Sequence, residues 1–300
     1  MRRSSTTTSA PEALYALATA AARSVVVVGT AKNVGKTTTF NALCAVARRR
    51  GETIAVTSIG RDGEPADALD AQAKPRVRLA PGTLVALAEG ILPRSPALVI
   101  LERGALGALG TTIFARVVLP TLCEIAGPPS ARAMRETIDR LRALGTGPVL
   151  VDGAIDRVAP LAGGDDAVIV ATGAASGASV ERVAALVAET VARLTIPADD
   201  GPDGVRIDGA LGAAQAQELI AGPRGTRVVV ADPTRVVVRG ALFAALRAHV
   251  DLRCARPLRV VACTTAPVGR EGAFAPRALV EAVARATGLP TFDVVADLAA

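Results

Sequence analysis

Residues 25–39 read VVVVGTAKNVGKTTT, four β-branched residues running into Gly29 and then the spacing G-x-x-x-x-G-K-T through Gly35, Lys36 and Thr37. A continuous apolar run predicts a strand buried on both faces of a parallel sheet, and the residues from Lys36 onward predict a helix. Strand, glycine-bearing loop and helix in that order make a P-loop in its required context. The first turn of such a helix has orphan N–H groups and a positive dipole end, so the backbone from Gly29 to Thr37 is expected to curl around a phosphate. Glycine permits the dihedrals and the close approach that this demands. The candidate nucleotide-binding set is Gly29, Thr30, Asn33, Val34, Gly35, Lys36, Thr37 and Thr38. Lys36 would reach the β- and γ-phosphates, and Thr37 would offer its hydroxyl to Mg²⁺.

The lysine count sharpens that reading. Of 34 basic residues, 31 are Arg and only Lys32, Lys36 and Lys74 are Lys, so two of the three lie in the phosphate loop. A compact ammonium fits a phosphate cradle where a planar guanidinium does not. Lys32 is therefore a second candidate for phosphate contact, in its own subunit or across a homodimer, against the alternative of a solvated loop charge. Lys74 either sits where Arg fails or is a leftover surface residue.

Composition narrows the class further. Three hundred residues suffice for one large α/β domain or two smaller ones. No uncharged run reaches the roughly 18 residues of a membrane span, so a soluble, cytoplasmic protein is expected. Cys44, Cys123, Cys254 and Cys263 show no C-x-x-C spacing and fit buried thiols better than zinc or disulfides. The net charge of +6 comes from arginines scattered over both halves, and there is no Trp and only one Tyr, which argues against nucleic-acid binding. Neither Asn33 nor Asn41 begins N-K-x-D, the guanine-reading motif, so ATP is the expected nucleotide. His249 is the sole histidine, stands at a predicted helix end and is expected to be structural.

Along the chain, a basic tail leads through an alanine-rich helix, Pro11 to Ala22, into the first strand. The P-loop helix, about Lys36 to Arg50, ends at Gly51, and Thr53 to Ser58 reads as a second buried strand. Its exit, SIGRDGEPAD, puts Arg61, Asp62 and Glu64 where open α/β sheets bind ligands. Asp62 is a candidate for positioning Mg²⁺ or water, with a turn-forming role as the alternative. Thr83 to Glu89 is expected to be a short helix capped by Thr83. Ala97 to Glu102 and Thr111 to Leu119 read as a hairpin around RGALGALG. Ser130 can cap a helix over Ala131 to Leu144. In GPVLVDGAIDR, Val149 to Val151 form a strand finished by Asp152, a Walker B pattern in which the carboxylate serves Mg²⁺. The strand Ala167 to Thr172 runs into GAASGAS, which either shapes a base pocket or is an ordinary turn before a helix at Ser179 to Leu194. IPADDGPDG, residues 196–204, reads as a linker. TTAPVGREG, residues 264–272, is the most site-like stretch beyond it and reads as a plain loop.

The expected architecture is a three-layer α/β P-loop NTPase fold with a mostly parallel sheet over residues 23–197. A tail and helix precede it at 1–22, and a smaller C-terminal α/β unit follows at 205–300.

The pattern GT-x-x-x-VGKT with a later strand ending in DG resembles the dethiobiotin synthetase group, within the wider P-loop class of partition and metal-delivery ATPases. It departs from dethiobiotin synthetase at Ala31, Lys32 and Asn33, where that family has D-T-E. Partition ATPases carry an extra lysine five positions before the phosphate-binding one, where this chain has Ala31. GTAKNVGKTTT, TSIGRDGE, the KPR of Lys74 to Arg76, the GTLVA of Gly82 to Ala86, VDGAIDR, ADPT and FDVV together resemble the small P-loop subunit of the lysine 5,6-aminomutase reactivase. That resemblance implies an ATP cycle, a larger ATPase subunit as partner, and a target aminomutase that depends on adenosylcobalamin and pyridoxal phosphate. The alternative is a ligase like dethiobiotin synthetase, in which ATP activates a small carboxylated substrate. A third reading is a nucleotide-binding scaffold without turnover.

Overall fold

A computed structural model describes residues 8–58, 76–93, 96–107, 110–128, 130–153, 164, 166–269 and 272–300. The first half contains α1 (Ala10–Ala21), β1 (Ser24–Gly29), α2 (Lys36–Arg49), β2 (Ala55–Ser58), β3 (Val77–Leu79) and β4 (Leu84–Ala88). It continues with β5 (Leu98–Gly107), β6 (Gly110–Val117), β7 (Thr121–Cys123), α3 (Ala131–Ala143) and β8 (Val149–Asp152). The second half contains β9 (Asp166–Gly173), α4 (Val180–Leu194), β10 (Val205–Ile207), α5 (Ala213–Ala221), β11 (Arg227–Val230), α6 (Gly240–His249) and β12 (Asp251–Cys254). It closes with β13 (Arg259–Ala266), β14 (Val268–Gly269), β15 (Gly272–Ala273), α7 (Pro276–Thr287), β16 (Thr291–Asp293) and β17 (Leu298–Ala299).

Among the described residues, ten strands form one sheet in the order β17-β16-β13-β9-β1-β8-β2-β4-β6-β5. The pairs from β16 through β4 are parallel, and β17, β6 and β5 add antiparallel edges. Alternation within β1 explains the layers. Val25 and Val27 belong to the core packed by α1 and α2, whereas Val26 and Val28 belong to the core packed by α3, α4 and α7. All four valines are fully buried, each contributing about 1.5–3 kcal/mol of apolar burial. A strand buried on both faces needs no polar positions, which is why its sequence does not alternate. The architecture is therefore a three-layer α/β P-loop fold with a mostly parallel sheet.

Several expectations are corrected. Residues 84–88 are not a helix but β4, fully buried, parallel to β2 and antiparallel to β6. LVALA is too short for its apolar run to separate the two states, and pairing on both sides decides in favour of the strand. The expected C-terminal unit, 205–300, does not form one sheet. Residues 205–254 build a small parallel sheet, β10-β11-β12, with its own core around Phe243 and Leu246, while β13 and β16 join the large sheet beside β9. The pairing of Val260 with Val168 and of Thr264 with Ala171 lies beyond the reach of local sequence. The linker-like stretch is also tied down, with Asp199 N donating to Cys254 O at 2.8 Å and Asp199 paired to Arg227.

TTAPVGREG is likewise not a plain loop: residues 264–266 end β13, and Val268–Gly269 pairs antiparallel with Gly272–Ala273 as β14 and β15. Two other local readings hold. Gly51 has φ 69° after α2, and Ser130 Oγ accepts from Ala133 N at the start of α3. The hairpin forms, though β5 runs on through Gly107 instead of ending before the glycines. No helix among the described residues is long and apolar enough to cross a membrane.

Candidate functional site

β1 delivers Gly29 to the carboxyl edge of the sheet, where the strand order changes direction: β2, next in sequence after α2, lies beyond β8 on one side of β1, and β9 lies on the other. Crevices at such points are where open α/β sheets bind ligands. Two glycines fix the loop. A Cβ on Gly29 would lie 2.8 Å from Lys36 Cδ and from Val34 Cγ2, and Gly35 has φ 86° as it starts α2. No side chain caps α2 at Gly35, and helix starts of this kind present N–H groups and a positive dipole end. A loop closed this tightly, with a helix start and a cation, fits a phosphate.

The candidate side chains divide by role. Lys36 is half-buried, and its Nζ donates to Ala31 O at 2.8 Å, so the ammonium folds back over the loop. Val34 is buried in the α1–α2 core and can offer a ligand only its backbone. Asn33, at φ 61°, turns the loop tip and is exposed, as are Lys32 and Thr38. Thr30 does not face a phosphate with its hydroxyl, which contacts Thr172 Oγ1 at 3.0 Å and Ser176 Oγ at 2.8 Å. Its N–H donates to Ala171 O at 2.9 Å, which pins the loop's entry to β9.

Asp152 ends β8 level with Val27 of β1 and with Ser58 of β2, and it is half-buried. Gly153 N donates to Val27 O at 2.9 Å, holding the residue after the carboxylate against the P-loop strand. Thr37 stands in the first turn of α2 and is partly exposed. A hydroxyl and a carboxylate from adjacent elements suit Mg²⁺, which takes few protein oxygens and keeps several waters. Asp62, with its neighbours Arg61 and Glu64, lies outside the described residues, as does Lys74.

Sequence reasoning undervalued residues 264–266. Thr39 Oγ1 donates to Thr264 Oγ1 at 3.0 Å. A Cβ on Gly35 would lie 2.9 Å from Ala266 Cβ, and one on Gly173 would lie 2.4 Å from Ala266 O. The end of β13 thus presses on both the phosphate loop and the turn after β9. The signal available was the position of TTAPVG at a strand's carboxyl end, which does not say which strand lies beside it.

The remaining candidates are structural. His249 Nε2 lies 2.9 Å from Gly222 O. All four cysteines are buried and free, and burial pushes the Cys44 and Cys263 thiols up to about 12 and those of Cys123 and Cys254 up to about 11. Thiols held protonated are poor nucleophiles and poor metal ligands.

No protein-family model matches the chain, and no curated protein matches it. Among solved structures, it is similar to pNOB8 ParA bound to nonspecific DNA, with 14% identity over 67% of this chain and 73% of that one and a TM-score of 0.32. It is also similar to a chain of the MinC:MinD cell division protein complex from Aquifex aeolicus, with 12% identity over 76% and 78% and a TM-score of 0.28. Similarities this low carry no functional weight, and the fold rests on the strand order and the loop themselves.

Proposed function

We propose that the chain is an ATP- and Mg²⁺-dependent P-loop ATPase, the small subunit of a factor that reactivates an adenosylcobalamin-dependent aminomutase together with a larger ATPase subunit in the cytoplasm. The observation that carries the ATPase reading is the uncapped start of α2 behind two sterically enforced glycines, with Asp152 on the neighbouring strand. The reactivase reading rests on the resemblance of the motifs from Gly29 to Thr39 and of those that follow.

In this reading the loop amides and Lys36 hold the β- and γ-phosphates and neutralise charge that builds up as the terminal phosphoryl group leaves. Thr37 and Asp152 would hold Mg²⁺, which would supply further charge neutralisation. The turn at Gly173–Ser176 and the end of β13 flank the loop and would wall the nucleoside. Lys32, exposed at the loop tip, would reach phosphate from a second subunit or after closure.

Asp152→Asn tests the metal role. Turnover is expected to fall about a hundredfold, while ATP affinity changes by no more than about threefold, because the charge is lost with strand and loop left in place. Single-turnover hydrolysis and calorimetry separate the two, and parent-rate turnover would move the Walker B role elsewhere. Lys32 gives a second test. Turnover should drop about tenfold in Lys32→Arg and further in Lys32→Ala if the compact ammonium meets phosphate. Full activity of Lys32→Ala at several protein concentrations, with partner present, would make it a surface charge.

Purification from the native host with mass spectrometry tests the partner assignment, which expects a larger ATPase and a cobalamin enzyme to co-elute. Hydrolysis that instead depends on a small carboxylated compound, without protein partners, would make the chain a ligase like dethiobiotin synthetase.

A further inference from the structure

A cavity of about 660 Å³ lies away from the phosphate loop, at the amino ends of β2 and β4. One wall is a single face of α2, carrying Cys44, Ala45 and Arg48, positions spaced to stack along the helix. The opposite wall is β3, with Arg78 and Leu79, and Ile54 lines it just before β2. Ile54, Cys44 and Leu79 are buried and apolar, whereas both arginines are exposed at the rim.

Charge there is unbalanced. Among the described residues neither Arg48 nor Arg78 has a carboxylate within ion-pair distance. The one carboxylate among the cavity's described lining residues, Glu52, is already engaged, accepting from Tyr15 Oη at 2.5 Å and lying 3.9 Å from Arg50. The volume falls in the range of small-molecule sites, which combine apolar walls with a few placed polar groups. A guanidinium pair over an apolar floor selects a carboxylate or phosphate attached to a hydrocarbon body.

We propose that this cavity is a binding site for a small organic anion with an apolar body, its charged head between Arg48 and Arg78 and its body against Ile54 and Leu79. The bound molecule packs on the helix that begins at Lys36, against Cys44 about 12 Å and Arg48 about 18 Å along its axis from that lysine. The site is therefore separate from the nucleotide site and stands or falls independently of it.

Calorimetric titration of the full chain with octanoate, octyl phosphate and neutral octanol tests this. Octanoate or octyl phosphate is expected to bind at one site, and the order of the two identifies the preferred head group. Octanol should bind at least about tenfold more weakly than the better anion, as should that anion to the Arg48→Gln, Arg78→Gln double variant. Ala45→Phe, which fills the cavity, should block both anions, and Lys36→Ala should leave their binding unchanged. Octanol binding as tightly as the anions, an unchanged affinity in the double variant, loss of binding in Lys36→Ala, or no binding by either anion would overturn the proposal.

Discussion

Lys36→Ala is expected to weaken ATP–Mg²⁺ binding by about 30–100-fold, the loss of the strong charge-assisted contacts to two phosphates at about 2–3 kcal/mol. The ammonium already folds over the loop, 2.8 Å from Ala31 O, so little rearrangement separates it from a phosphate in the cradle. What remains after the substitution is backbone, whose dipoles attract phosphate less strongly than a full charge does. The loop itself should survive, because Gly29 is closed over by Val34 as well as by Lys36, and Thr39 still bonds Thr264. Calorimetry reads the effect directly, and a circular dichroism spectrum matching the parent separates it from unfolding. Unchanged affinity would falsify the assignment of this loop as the nucleotide site.

The largest effect on stability is expected at Gly127. A Cβ there would lie 1.7 Å from Ser58 O, a backbone atom at the end of β2 that cannot rotate away. Gly127→Ala therefore has to push apart two backbone segments, and overpacking of that kind costs about 3 kcal/mol or more. The melting temperature should fall by roughly 5–10 °C for a chain of this size. Ser58 pairs with Asp152 in register, so the displacement reaches the candidate metal carboxylate. ATP turnover should fall along with stability, whereas Gly51→Ala, with open space around its Cβ, pays only the strain of its φ of 69°. Thermal unfolding of the two variants side by side checks the ranking, and equal melting temperatures would contradict it.

The P-loop could be read from the sequence because every constraint on it is local. Four valines, two glycines at a fixed spacing and a helix start all fall within fifteen residues, and the structure adds only the reason for each glycine. Ser130 and Gly51 could be read for the same reason, since caps answer to the helix they end. LVALA could not, because five apolar residues satisfy either period until β2 and β6 are in place around them. Nor could the contact of Ala266 with Gly35 or that of Thr264 with Thr39, which join residues more than two hundred positions apart. The division of the C-terminal region was hidden similarly. Its two sheets have similar apolar strands, and only pairing tells β11 from β13.

The place of β13 bears on how the chain is made. Translation delivers β1, β8 and β9 well before the strand that pairs with β9 and braces Gly35, which begins only at Arg259. Until then the nascent sheet ends at β9, whose Val168 and Val170 pair with Val260 and Cys263 in the finished protein. An open apolar edge of that kind invites pairing with other chains. Synthesis stalled before Arg259 should thus release a product that has the whole G-x-x-x-x-G-K-T sequence yet holds it loosely, and that recruits chaperones where the completed chain does not.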